Sequence, residues 1–232
     1  MMPLTPLPDR SAPETPRLLP ASQRSEQPSQ RWHAGEARSY ARTRLITRGA
    51  IVPIGGEELP ASWSPILNAF FELAGGRGSR IMLLPASGDP RDAETYRRLL
   101  IRRGAQGDIG LVASAEDAND PDLIARLTPM TGLFITGGAH EEFQRLLSGT
   151  RLAEAIRAAN ERGLVVAGCG AGAPLLGRHQ LPAVPGGDAS TGLGLLDDVM
   201  IDRHATAPGR IEQILAAFAA RPNQVAFCLK QH

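Results

Sequence analysis

The stretch Gly163–Gly177, G-L-V-V-A-G-C-G-A-G-A-P-L-L-G, decides how this chain is read. A short apolar run falls into a glycine-rich turn, and the turn leads into what reads as the start of a helix. Enzymes mount a nucleophile this way, on a sharp strand-to-helix turn with the pattern G-x-S-x-G. Here the pattern is Gly168-Cys169-Gly170-Ala171-Gly172, so its centre has no side chain to attack a carbonyl.

Outward from that turn, short apolar runs alternate with amphipathic segments from about residue 49. This alternation predicts a parallel sheet with crossover helices. The strands are expected at 50–54, 80–84, 109–113, 132–136 and 163–167, each mostly apolar as for strands covered on both faces. Pro53 cannot donate to a ladder and belongs on an edge strand. Helical stripes run through Ala93, Tyr96, Leu100 and Arg103 to Gly104, and through Leu152, Ile156 and Ala159 to Gly163, with Thr150 as N-cap of the second. A third stripe, Ile211, Ile214, Leu215 and Phe218, is followed by Pro222 as a stop and a last strand at 225–229.

Residues 1–46 differ in texture. They hold seven of the 19 prolines with many Ser, Arg and Gln and no apolar periodicity, and read as a disordered tail before an α/β domain over 47–232. The formal charge of +1 excludes bulk electrostatic attraction to nucleic acid or an anionic membrane. Lys230 is the only lysine, but the arginines scatter along the chain rather than forming a patch. Cys169 and Cys228 make neither a disulfide framework nor a metal-ligand spacing, so no metal or cofactor is expected and a reducing cytoplasm is the natural setting. No apolar run approaches the roughly 18 residues of a membrane span, and prolines interrupt what would be the core of a signal peptide.

Open parallel sheets bind ligands at the carboxyl ends of their strands. Three glycine turns are expected there: Ile54-Gly55-Gly56-Glu57, Thr136-Gly137-Gly138-Ala139-His140, and the turn around Gly170. Paired glycines let backbone N–H groups approach a ligand and form an oxyanion hole, although each turn alone needs glycine for conformation only.

The runs R-I-M-L-L-P-A-S-G-D-P (80–90), A-E-D-A-N-D-P-D-L-I-A-R-L (115–127), G-L-F-I-T-G-G (132–138), G-L-V-V-A-G-C-G-A-G-A (163–173) and I-D-R-H-A-T-A-P-G-R (201–210) occur in an order and spacing that resembles the cyanophycinase and peptidase E family of serine exopeptidases. The resemblance extends from about residue 49 to the end of the chain. It implies a three-layer α/β/α sandwich with a mostly parallel, flavodoxin-like sheet of the class I glutamine amidotransferase type. It also implies peptides with an aspartyl residue as substrate, cyanophycin and its β-aspartyl-arginine unit above all. Family members often dimerise and continue beyond the last strand, so a homodimer, a pairing with an active paralogue and a shortened C-terminus are further expectations.

By the same resemblance the nucleophilic serine falls on Gly170, the base on His204 and the orienting acid on Gln231. Gly137, Gly138, His140 and Ala171 fall at oxyanion or pocket positions, with Asp202 and Arg210 as substrate-pocket groups; where the family continues G-G-D-Q, this chain has Ala139 and His140. Only the base survives, which predicts an impaired hydrolase, because no acyl-enzyme forms without a nucleophile. Two alternatives stand beside it. Cys169 could take over the attack with His204, as cysteine does in the related amidotransferases, or the chain could be a decayed product with no selected role. A one-residue slip along a strand turns a side chain to the other face, and Gly170 suits the positive-φ elbow position, so Cys169 is expected to be a small buried thiol.

Overall fold

The computed structural model describes residues 48–55, 63–138, 140–181, 190–220 and 223–229. The expected tail at 1–46, Pro222 and the acid position Gln231 lie outside the described residues. Five parallel strands, β1 (Ile51–Ile54), β2 (Arg80–Leu84), β3 (Gln106–Ile109), β4 (Gly132–Ile135) and β5 (Val165–Cys169), form one sheet in the order β1-β5-β4-β2-β3. Pro53 therefore sits on an edge strand, where its missing donor costs no ladder bond on the outer side.

Helices cover both faces. Against one pack α1 (Pro65–Leu73) and α2 (Pro90–Arg102), whose Phe70, Phe71, Tyr96 and Leu100 meet Ile81, Leu83, Phe134 and Val165. Against the other pack α3 (Pro121–Leu127), α4 (His140–Leu147) and α5 (Arg151–Glu161), whose Leu123, Phe143, Leu152 and Ile156 meet Met82, Leu84, Leu133 and Val166. The result is the three-layer α/β/α sandwich with a mostly parallel sheet. Three of these helices start by one device: Ser64, Asp89 and Asp120 accept from backbone N–H groups of the first turn, and each is followed by a proline pre-set for the first helical position. Thr150 caps α5 as expected, its Oγ1 accepting from the N–H of Ala153.

Two strands are displaced from their expected places. β3 precedes the apolar run at 109–113, because Asp117 accepts from the N–H groups of Ala113 and Ser114, both at 2.9 Å, and bends that run into a turn. As an edge strand, β3 accommodates Gln106 and Asp108 at its exposed side. β5 starts later and ends later than expected. Gly163, at φ +111°, and Leu164 still bond back to α5, so the strand begins at Val165 and carries Cys169 within it.

Beyond the sandwich lie two small sheets: β6 (His179–Gln180) antiparallel to β7 (Ser190–Thr191), and β8 (Val199–Asp202) parallel to β9 (Val225–Cys228); β9 is the expected last strand, while β6, β7 and β8 carry no sequence pattern that marks them. The last strand thus pairs with β8 rather than the main sheet. Between β8 and β9 runs α6 (Arg210–Ala220), of whose expected apolar stripe only Ile214 is buried.

Asn160 fastens the sheet at its amino end. Fully buried at the end of α5, it donates from Nδ2 to the carbonyls of Gly49 and Leu164, at 2.9 and 2.8 Å, and accepts from Arg48 at 2.9 Å. This ties the start of β1 to the start of β5. Replacing Asn160→Ala leaves those carbonyls without a side-chain donor and is expected to destabilise the fold by about 2–3 kcal/mol. A urea unfolding midpoint unchanged from the parent would contradict this.

Candidate functional site

The carboxyl ends of β2, β4 and β5 are adjacent in the sheet, and the turns that follow them touch. A Cβ on Gly138 would stand 2.2 Å from the backbone nitrogen of Ser87, and one on Gly172 would stand 2.7 Å from the carbonyl oxygen of Ile135. Within the elbow, a Cβ on Gly168 would stand 2.3 Å from the carbonyl oxygen of Gly172. Only hydrogen fits at these places, so the glycines are required by close backbone approach. Gly170 has φ +52°, the left-handed conformation of a nucleophile elbow, and carries no side chain there.

Cys169 is extended (φ −106°, ψ 138°) and only 1% exposed. Its side chain shares the face of Val165 and Ala167, packed with Phe70, Tyr96 and Phe134, and its Sγ lies 3.7 Å from the Tyr96 hydroxyl. His204 belongs to the opposite side, near Pro174, Ile201 and α4. The expected alternative pair of Cys169 with His204 is therefore not brought together.

A cleft of about 420 Å³ opens beside the glycine turns. Arg203, His204 and the Asp202–Arg210 pair share it with Glu141, Glu142 and Arg145 of α4. Of the other expected site residues, Gly170 and Ala171 are buried in the elbow, Gly137 is half-buried and Gly138 exposed, and none of the four lines the cleft. The side chain of His140, together with Ala139, Gly56 and Glu57, falls outside the described residues. Glu141, Glu142, Arg145 and Arg203 had gone unnoticed, although the two glutamates directly follow a glycine-pair turn in the first turn of a helix, where acidic side chains are favourable.

Asp202 organises the floor. It is 2% exposed, accepts from Arg210 Nε and Nη2 at 2.8 and 2.5 Å through one oxygen, and accepts from the backbone N–H of His204 at 2.9 Å through the other. Arg210 also donates to Gln213 Oε1 at 2.8 Å. This pair holds the 202–210 turn shut in the way that fully bonded buried ions must. The carboxylate therefore serves the backbone of His204 rather than its ring, and among the described residues no hydrogen bond reaches the imidazole.

His204 is exposed as a residue, but partial desolvation of its ring and the positive charge of Arg203 hold its pKa below 6.5; Arg210 adds to the shift and Asp202 opposes it. The imidazole is thus neutral at pH 7 and able to accept a proton. Because protonation favours the unfolded chain, this group destabilises the fold as pH falls through 6.5. In an NMR titration the His204 midpoint is expected below 6.5, and Arg203→Gln should move it upward. A midpoint above 6.5, or one indifferent to Arg203→Gln, would contradict this electrostatic account.

Comparison with known proteins identifies the architecture. Residues 55–231 match the family described as Peptidase family S51. A cyanophycinase from Synechococcus elongatus is 30% identical over 195 residues, covering 77% of this chain and 59% of that protein. One from Trichormus variabilis (strain ATCC 29413 / PCC 7937) is 32% identical over 196 residues, covering 79% and 66%. The chain thus spans about three fifths to two thirds of the length of these relatives. Among solved structures, a peptidase from an acI-B1 Actinobacterium superposes with a TM-score of 0.63 at 21% identity, covering 72% of this chain and 75% of that one, and so shares the fold. With a match that takes in β2 to β9, the elbow and the cleft together, this chain belongs to peptidase family S51.

Proposed function

We propose that this chain binds aspartyl peptides of the β-aspartyl-arginine type in the cleft around His204, and that its hydrolytic machinery is impaired. The observation that carries the reading is Gly170 at φ +52°: the backbone keeps the elbow, and the position that would hold the attacking hydroxyl has none. Attack on a peptide carbonyl needs a nucleophile whose proton passes to a base, and loss of a triad serine typically costs about six orders of magnitude in turnover. His204 is a neutral base with nothing to activate. Cys169, turned to the other face of the sheet and packed against Tyr96, does not supply the missing group.

Binding outlasts turnover in this reading because the charges remain. Glu141 and Glu142 offer carboxylates to a ligand guanidinium, while Arg203 and Arg145 offer guanidinium forks to a ligand carboxylate. Arg210 is engaged by Asp202 and Gln213, so its part is to hold the turn. Neither cysteine is in a disulfide, which fits a reducing cytoplasm. No helix among the described residues is long and apolar enough to cross a membrane.

Incubation with cyanophycin and with β-aspartyl-arginine should release no new amines, while calorimetry detects binding that weakens about tenfold in Glu141→Gln/Glu142→Gln, as loss of charge-assisted bonds requires. Turnover abolished by Cys169→Ala would overturn the reading. Restoring Gly170→Ser with Gln231→Glu is expected to give little activity, since the flanking positions Ala139 and His140 also depart from the family pattern. The serine in a left-handed conformation should itself cost about 1 kcal/mol in a melt.

A further inference from the structure

Without a nucleophile to activate, His204 has a ring in the cleft and no proton transfer to perform. It follows β8 on an exposed turn, and among the described residues nothing hydrogen-bonds its imidazole. Asp202 would be the natural counter-ion of an imidazolium, yet one of its oxygens is taken by Arg210 and the other by the backbone N–H of His204. Arg210 is in turn held by Asp202 and Gln213. From α4 come Glu141, Glu142 and Arg145, the arginine within one helical turn of both glutamates, while Pro174, Leu181 and Ile201 bring no charge. Arg203 remains, beside His204 and without an ion pair among the described residues. Its charge reaches the imidazole: after desolvation it is the largest influence that holds the pKa of His204 below 6.5.

We propose that Arg203 and His204 together form a proton-gated carboxylate-binding fork: a ligand carboxylate pairs with Arg203, and His204 takes up a proton from solvent and donates to the same carboxylate. The anion acts twice on the ring. It offsets the Arg203 charge that opposes protonation, and it supplies the counter-ion that Asp202 does not, so the bound imidazole holds its proton more tightly. By linkage the ligand binds with net proton uptake, and its affinity falls as pH rises through the midpoint of the bound histidine. Histidine is the side chain whose ordinary charge changes between pH 5 and 8, and His204 is the imidazole lining this cleft, so the dependence is assigned to it. Glu141 and Glu142 set the charge of the ligand: they repel a dianion more than a single carboxylate, and they attract a cationic group on the same molecule. The ligand is the aspartyl peptide proposed above, so the fork's physiological role rests on that reading.

Calorimetry with β-aspartyl-arginine at about pH 6.5, in buffers of different ionisation enthalpy, should show uptake of a fraction of a proton per ligand bound. The Kd should be up to about tenfold lower at about pH 5.5 than at about pH 8, the change produced by a rise of about one unit in the bound midpoint. His204→Gln keeps the backbone N–H that Asp202 holds, so it should fold, bind without proton uptake and lose the pH dependence. In the parent, acetate, which has a carboxylate and no cationic group, should move the imidazole signals of His204 and raise their NMR midpoint. Dipeptide binding without proton uptake, or uptake that persists in His204→Gln, overturns the fork and leaves the aspartyl-peptide reading standing. A dipeptide that does not bind, with acetate still raising the midpoint, overturns that reading and supports the fork. A midpoint that neither acetate nor the dipeptide moves overturns the fork with no variant needed.

Discussion

The turn out of β5 exists only because Gly168 and Gly172 have no side chains: their backbones approach so closely that a single Cβ would collide with a carbonyl oxygen. That contact folds the chain back on itself directly after the strand. It sets Gly170 in the left-handed conformation, buries Ala171, and starts the short helical turns that carry Pro174 to the cleft wall. β5 lies between β1 and β4, so the turn is anchored on both sides by ladders and by the glycine pair after β4. The geometry of a hydrolytic elbow is thus a property of the backbone and persists without the hydroxyl it would present.

Much of this was legible in the sequence, and for identifiable reasons. Buried parallel strands such as Arg80–Leu84 and Gly132–Ile135 are runs of apolar residues with polar punctuation, which periodicity finds readily. Pro53 announced an edge. Where reading failed, tertiary context outweighed local pattern. The apolar run after Asp108 was turned away by the Asp117 carboxylate, and β3 formed instead from the polar Gln106–Ile109, a strand only because β2 offers it an edge. β6 and β7 are strands of two residues, too short for any periodic signal, whereas β9 coincides with the apolar run at 225–229 and only its partner β8 went unmarked.

The site was legible in its glycines and its histidine and less so in its charges. A motif locates Gly170 and His204, but nothing local in the sequence reveals that Asp202 turns both oxygens toward the backbone turn and Arg210. Nor does it show that α4 brings two glutamates and an arginine to the same cleft. The face on which Cys169 lies followed from strand alternation once β5 was known to extend through it. Side-chain direction in a strand is a matter of parity, and a slip of one residue in the strand's register would have reversed the chemistry.

The order of strands also bears on how the chain reaches this state. β1 is made first but finds its ladder partner in β5, and the Asn160 clamp joins residues 111 positions apart. Among the described residues β1 has no ladder partner within the first hundred. β2, β3 and β4 assemble with near neighbours, whereas β1 waits as an unpaired apolar strand until α5 and β5 emerge and the long loop closes. Loop closure over such a separation is entropically slow, so the capture of β1 is the late event in folding, and the apolar strand is open to self-association until then.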